Sequence, residues 1–159
     1  MRKLMILIMA ILLIGSVHAA VTEEWAKSYD LGGSDKATGV VVDNNDTTYV
    51  TGVQELSGPN NNFYTMKLDR DGNRIWQEQY DVTEWDYADG ITSDSDNNIY
   101  VVGRFNGNSQ IVKYDSSGNQ LWSKTYDNGG SEAAYAVATD SNNNVYVAGR
   151  EGDDYFTLK

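Results

Sequence analysis

Short apolar runs that alternate with turns rich in Asp, Asn and Gly cover most of this chain. Between Asp94 and Tyr126, for example, the pattern predicts three strands, at 98–105, 109–114 and 120–126, with an Asn106-Gly107 turn after the first. Strand-forming runs of this length, interrupted by such turns, are typical of an antiparallel meander. No long stretch beyond the first residues has helical periodicity, so the pattern predicts an all-β fold.

Four sets of residues repeat along the chain in one register. The Trp, Asp and Tyr sets recur at steps of 51 and then 46 residues, whereas the Lys set, which follows the longer loop Gln54–Asn62 of the first copy, recurs at steps of 46 and 46. Each Asp precedes its Tyr by six residues, and each Tyr opens a Tyr-Val-x-Gly tetrad. A period of about 40–50 residues with four short strands is typical of β-propeller blades. The sets are Trp25, Trp76 and Trp122; Asp43, Asp94 and Asp140; Tyr49, Tyr100 and Tyr146; and Lys67, Lys113 and Lys159.

The predicted architecture is a β-propeller repeat region at 20–159, with three four-stranded antiparallel blades per chain. The blade units lie at about 31–80, 82–126 and 128–159. A further strand at 22–30 matches the fourth strand of a unit, and we expect it to be offset so that it completes the last blade. The predicted strands are 35–43, 47–53, 63–68, 74–80, 86–94, 98–105, 109–114, 120–126, 132–140, 144–150 and 154–159.

These motifs resemble a known family, the SBBP-type β-propeller repeat of bacterial and archaeal proteins. The resemblance rests on an acidic-x-Ala motif that precedes each Asp and Tyr-Val-x-Gly element, and it covers nearly all of the chain after the leader. A Gly followed four residues later by Trp, as at Gly72 and Gly118, is similar to the packing motif of quinoprotein-type propellers. The resemblance implies the fold but not the function, because such repeats occur in surface proteins of many roles. The acidic-x-Ala motifs begin at Asp35, Asp86 and Glu132.

The first residues have the pattern of a secretory signal peptide, predicted at 1–19. A basic start is followed by an apolar run, Leu4–Ile14, and by the small-x-small sequence Val17-His18-Ala19. The alternative is an uncleaved anchor, but Leu4–Val17 as a helix would span only about 21 Å of a hydrocarbon core about 30 Å thick. We therefore expect a secreted or cell-surface protein.

The mature protein is strongly acidic. Removal of Arg2 and Lys3 leaves ten basic residues against all 23 acidic ones, a net charge of −13. This charge argues against nucleic acid and anionic membrane surfaces as partners, and it favours cations or basic partners. The alternative is that most of these charges keep a β-rich surface soluble. With no cysteine, and with His18 lost with the leader, thiol, serine-triad and His-ligated zinc chemistry are excluded, and no cofactor is expected.

Two Asp-rich turns begin like calcium loops. In the stretch that starts at Asp94, however, Ile99 and Phe105 occupy the positions where an EF-hand has Gly and Glu. Asp and Asn also accept left-handed backbone conformations and bond their own backbone. We therefore predict tight hairpin turns and no metal site.

The candidate binding residues include three carboxylates, Asp35, Asp86 and Glu132, each at the entrance of the first strand of its unit. If these are the innermost strands, the carboxylates line one mouth of a channel and favour cations there. The alternative is that each carboxylate accepts backbone N–H bonds in the preceding turn and only holds the blade.

Residues that depart from the repeat are the other candidates. Trp85, Tyr87 and Tyr135 lie near the same mouth, while Arg104 and Arg150 replace the Val53 of the first copy. The repeated tryptophans could instead form platforms for sugars, but one per unit at a fixed place favours packing between blades.

We predict a non-catalytic binding module for an unidentified protein or glycan. One alternative is a carbohydrate-active enzyme that uses carboxylates near Asp86, since glycoside hydrolysis needs only two acids. Another is a truncated propeller fragment without independent function. Closed propellers have about 4–8 blades, so we expect a homodimer in which two three-blade chains close a six-bladed ring.

We predict that export is followed by cleavage after Ala19 or Ala20, because the apolar run and the small-x-small pattern meet there. N-terminal sequencing of the exported protein would show a chain that starts at residue 20 or 21. A chain that still starts at Met1 would contradict the leader.

Overall fold

The computed structural model describes residues 23–56, 61–80 and 86–159, which form eleven β-strands and no helix. The predicted leader and Trp85 lie outside the described residues. The strands are β1 Ser34–Val42, β2 Thr48–Glu55, β3 Asn61–Leu68, β4 Arg74–Tyr80, β5 Asp86–Ser93, β6 Ile99–Phe105, β7 Asn108–Tyr114, β8 Gln120–Tyr126, β9 Glu132–Thr139, β10 Val145–Glu151 and β11 Asp154–Leu158. No helix among these residues is long and apolar enough to cross a bilayer.

The strands form three antiparallel sheets: sheet 1 in the order β1-β2-β3-β4, sheet 2 in the order β5-β6-β7-β8, and sheet 3 with β9, β10 and β11. The prediction of an all-β fold made of repeated meanders is confirmed, and every strand predicted from residue 35 onwards lies within two residues of the observed bounds. The largest difference is at the predicted loop Gln54–Asn62. There the β2–β3 ladder continues to the pair Glu55 and Asn61, because the two strands remain in register beyond the loop's predicted ends.

The predicted strand at 22–30 differs from expectation. Its described part, residues 23–30, belongs to no ladder, and sheet 3 has three strands with β11 at its edge. A strand exists only where a neighbouring backbone accepts and donates its hydrogen bonds. Within the described residues, residues 23–30 lie beside the β3–β4 turn of sheet 1, which they contact only through side chains: Tyr29 Oη donates to Gly72 O, and Lys27 Nζ to Asn73 Oδ1 at 2.5 Å.

The sheets pack face to face and bury two cores. The core between sheets 1 and 2 contains the buried residues Tyr49, Phe63, Ala88, Ile99, Val101, Val112 and Tyr114. The core between sheets 2 and 3 contains Val102, Ala134, Val147 and Phe156. Sheet 2 thus contributes both of its faces. The first strands β1, β5 and β9 lie next to each other along this stack, and Thr38 Oγ1 donates to Ala88 O at 2.7 Å between the first two.

Two tryptophan–glycine contacts join sheet 1 to sheet 2 and residues 23–30 to sheet 1. Trp76, on β4, packs on Gly118 in the β7–β8 turn, where an added Cβ would lie 3.1 Å from the indole ring, and its Nε1 donates to Ser116 O at 3.2 Å. Trp25 packs on Gly72 in the same way and donates to Arg70 O at 3.0 Å. Glycine is required at these turns because φ is positive and because a side chain would collide with the ring. The predicted packing role of these two tryptophans is confirmed.

Glycine is required in the Tyr-Val-x-Gly tetrad for a different reason. In sheet 2, Gly103 lies opposite a bulge in β5 between Ala88 and Gly90. An added Cβ at Gly103 would lie 1.8 Å from Tyr87 O. A side chain there would push the two strands apart, so the bulged first strand needs glycine opposite it.

We predict that Trp76→Ala lowers the free energy of unfolding by about 3 kcal/mol, the lower end of the range for aromatic truncations, because its ring is partly exposed. Trp122→Ala is the matched control. Its ring is 36% exposed, and no described glycine turn packs on it, so the expected loss is about 1 kcal/mol. Urea unfolding of both variants tests this difference, and equal losses would contradict the docking contact.

Candidate functional site

The repeated Asp residues are engaged in local hydrogen bonds. Asp94 Oδ1 accepts backbone N–H bonds from Asp96 at 3.0 Å and Asn98 at 2.8 Å. Its Oδ2 accepts from Tyr100 Oη at 3.0 Å, which explains the six-residue spacing between Asp and Tyr. Asn97 has a positive φ of 61°. The residue set therefore builds a hairpin turn and fastens it to the following strand, as the sequence predicted.

These bonds set the charge state of the turn. Burial alone would raise the pKa of Asp94, but the bonds donated by Asn98, Tyr100 and Asp96 outweigh it and lower the pKa. Burial raises the pKa of Tyr100, and the bond to Asp94 adds to that rise. Lys113 Nζ lies 3.6 Å from Asp94 Oδ2 and 4.8 Å from the centre of the Tyr100 ring. In this unit, Lys113 thus neutralises the turn on the face that Tyr100 covers.

The three entrance carboxylates lie at the starts of β1, β5 and β9, as predicted, but in different surroundings. Asp35 is exposed and accepts the backbone N–H of Leu31 at 2.7 Å. Glu132 is buried and accepts the backbone N–H of Gly130 at 2.9 Å through Oε1. In both cases the carboxylate accepts a backbone N–H bond in the turn that precedes its strand, which was the alternative to a binding role. Asp86 is fully buried.

A cavity of about 240 Å³ opens between sheets 2 and 3 at this end of the first strands. It contains two of the predicted candidates, Tyr87 and Glu132, together with both arginines that depart from the repeat. Asp35 and Asp86 do not line it. The lining residues are Tyr87, Arg104, Gly107, Ser131, Glu132, Ala133 and Arg150.

Arg104 is held in place on one wall of the cavity. Its guanidinium contacts Asp89, with Nε 3.0 Å from Oδ2 and Nη2 3.3 Å from Oδ1, and lies 4.7 Å from the centre of the Tyr87 ring. Asn61 Nδ2 in turn donates to Tyr87 Oη at 2.6 Å. Burial raises the pKa of Asp89, and Arg104 partly offsets the rise. Two contacts at once fix the plane of the guanidinium and preorganise this wall.

Arg150 and Glu132 leave charge available in the same cavity. The Arg150 side chain is exposed and makes no ion pair with any described carboxylate. Glu132 Oε2 is buried and has no hydrogen-bond partner among the described residues. A guanidinium offers several donors in a fixed fork, so the open wall suits a ligand group with hydrogen-bond acceptors.

The remaining predicted residue, Tyr135, lies elsewhere. It is on β9 and 45% exposed, and its carbonyl oxygen faces Gly90 of β5. Ser131 and Gly107 line the cavity and were not predicted. Glu132 N donates to Gly107 O at 2.7 Å, so the β6–β7 turn reaches the start of β9, a long-range contact with no local signal in the sequence. No group of three or more His, Cys, Asp or Glu side chains in the described part of the chain is arranged to hold a metal ion.

A comparison with protein-family models finds no match, and no curated protein is significantly similar in sequence.

The Asp turns predict acid sensitivity. A side-chain hydrogen bond from Asn144, supported by its backbone N–H and by Tyr146, lowers the pKa of Asp140 to about 2. An unfolded Asp has a pKa of about 3.9, so this stabilisation is complete above about pH 4 and is lost as the pH falls towards 2. We expect the Tm of the Asp140→Asn protein to fall less between pH 5 and pH 2 than the Tm of the unchanged protein does.

Asp153→Asn is the control, because Asp153 is exposed and accepts no hydrogen bond from the described residues. Its melting curves should follow those of the unchanged protein. Identical pH dependence in all three proteins would show that the Asp140 turn does not contribute.

Proposed function

We propose that this protein is an exported, non-catalytic binding module of the β-propeller type, with the three sheets as successive blades. Three features support the propeller arrangement: the repeated meanders, the adjacent first strands, and the tryptophan–glycine contact, which Trp76 makes from sheet 1 to sheet 2 and Trp25 repeats on the equivalent turn of sheet 1. In this arrangement β1, β5 and β9 line the channel, and residues 22–30 supply the fourth strand of the last blade. The leader predicted at 1–19 supports export to the cell surface or beyond.

One observation carries the proposed binding role: three of the residues that break the repeat line a single cavity. The repeated residues are engaged in turns and packing, whereas Tyr87, Arg104 and Arg150 differ between units and line the same space with Glu132. A stack held together by its repeated residues is free to vary at the ends of its strands, where binding residues commonly lie.

The size and charges of the cavity define the ligand group. Its volume of about 240 Å³ lies below the range of about 300–1,000 Å³ typical of drug-sized ligands. It therefore suits one sugar ring or one side chain of a larger partner. Arg150 suits a hydroxyl or carbonyl oxygen on that group, and Glu132 Oε2, which has no partner among the described residues, suits a hydroxyl donor. A neutral glycan therefore fits best, and a polar protein side chain is the alternative partner.

A glycan array probed with the purified protein tests this function. We expect binding to glycans with neutral, hydroxyl-rich sugars, and we expect Arg150→Ala to weaken it at least about tenfold, the effect of losing one charge-assisted hydrogen bond. Arg70→Ala is the matched control, because Arg70 is an exposed arginine in the β3–β4 turn, outside the cavity. Its affinity should be unchanged.

Two results would contradict the proposal. Equal binding by the Arg150→Ala and Arg70→Ala proteins would place the site elsewhere. Release of reducing ends from the bound polysaccharide, abolished by Glu132→Gln, would indicate the carbohydrate-active enzyme instead.

A further inference from the structure

The contact between sheets 1 and 2 has two different halves. Sheet 1 contributes the side of β2 and β3 that carries Tyr49 and Phe63, and sheet 2 contributes the side that carries Val101 and Val112. Sheet 2 then uses its opposite side, with Val102, against sheet 3. Each sheet therefore has one face for the sheet before it and another for the sheet after it.

Both halves of this contact recur at the two ends of the stack, where no described sheet packs on them. The outward side of sheet 1 lines a cleft of about 340 Å³ with Val50 and Met66, which correspond in the repeat to Val101 and Val112. The chain's own residues 25–31 border this cleft on one side. The outward side of sheet 3 lines a cleft of about 570 Å³ with Tyr146 and Thr157, which correspond to Tyr49 and Thr65. The two end faces are thus the complementary halves of an interface that the chain already forms internally.

The strand edges match in the same way. In sheets 1 and 2 the third strand pairs with a fourth strand, with Lys67 opposite Trp76 and Lys113 opposite Trp122. In sheet 3 the equivalent strand, β11, has no such neighbour among the described residues. Residues 25–29 have the sequence pattern of a fourth strand and lie outside any ladder, with Trp25 already docked on Gly72.

From this match we infer that a second copy of the chain docks head to tail, so that residues 25–29 of each copy pair with β11 of the other. The register follows from sheets 1 and 2: Lys159 lies opposite Trp25 of the second copy, and Thr157 lies opposite Lys27, as Thr65 lies opposite Glu78. The same contact fills both clefts, because it places sheet 3 of one copy on sheet 1 of the other.

Tyr146 is the clearest sign of the missing contact. The equivalent Tyr49 and Tyr100 are 0% and 2% exposed, and each lies 5.9 Å from the tryptophan of its own fourth strand. Tyr146 is 39% exposed, although Lys159 lies over its ring as in the other units. Trp25 of the second copy would occupy the position beside it.

Two such contacts close the assembly about a two-fold axis, with six blades in all, which is within the range of closed propellers. Closure pairs both free edges and removes the aggregation risk of exposed strands. The inference rests on the propeller arrangement proposed above but not on the ligand cavity, so assembly and glycan binding are tested by separate measurements.

Light scattering on the mature full-length protein at micromolar concentration tests closure. The expected mass is twice that of one chain and is constant on dilution through the micromolar range. A folded monomer, or a mass that grows with concentration as in an open filament, would overturn the closed pair.

Single cysteines test the register, since the protein has no cysteine of its own. Lys27→Cys and Thr157→Cys are exposed positions that the register places directly opposite each other, a separation that a disulfide spans. After oxidation, an equimolar mixture of the two variants should give a disulfide-linked pair, and neither variant alone should.

The control mixture contains the Ser28→Cys protein in place of the Lys27→Cys protein. Position 28 is one residue out of register, and its side chain points to the other side of the strand. It should not cross-link with Thr157→Cys. Cross-linking that is equal in both mixtures, or absent from both, would overturn the pairing even if the protein were a dimer.

Discussion

The packing of sheet 1 on sheet 2 depends on the contact between the tryptophan of one sheet and the glycine turn of the next sheet. A single four-stranded sheet has two apolar faces and cannot bury either of them alone, so its stability comes from its neighbours. Trp76 supplies a large ring at the edge of this contact, and Gly118 leaves room for it. Because the contact joins the fourth strand of sheet 1 to the turn between the third and fourth strands of sheet 2, it also sets the direction in which sheet 2 follows sheet 1.

A division between repeated and variable residues follows from this constraint. Asp94, Tyr100 and Lys113 bind one another and have little capacity left for a ligand. Val53, Arg104 and Arg150 occupy one position of the repeat at the end of the second strand, where the turn and the ladder make no demand on the side chain. Variation there changes the chemistry of the space between sheets without weakening the stack, and the cavity between sheets 2 and 3 illustrates this.

Directional packing also leaves two unlike faces at the ends of the stack. Among the described residues, β11 is a free edge and both ends of the stack have apolar clefts, which are features that favour association with other strands. In the proposed pair, a second copy would cover them with surfaces already adapted to each other, since the end faces correspond to the two halves of the internal interface. The proposal accounts in this way both for residues 25–29, which lie outside any ladder, and for the exposed ring of Tyr146.

The sequence by itself determined the eleven strands, the turns and the repeat, because these depend on interactions between residues close along the chain. The turn at Asp94 is an example: its bonds reach no further than Tyr100, six residues on. Only the tertiary structure decided which entrance carboxylates are buried, since Asp35 faces the open end of the stack whereas Glu132 is covered by the β6–β7 turn of sheet 2.

Other features of the protein also depend on contacts between sheets and not on local sequence. Arg104 and Arg150 were recognised as departures from the repeat, but their convergence with Glu132 required the sheets to be packed. Residues 23–30 have the sequence of a strand, yet a strand also needs a partner edge, which local sequence does not supply. Local chemistry fixed the elements of this protein, and the contacts between sheets fixed what those elements present to solvent and to ligands.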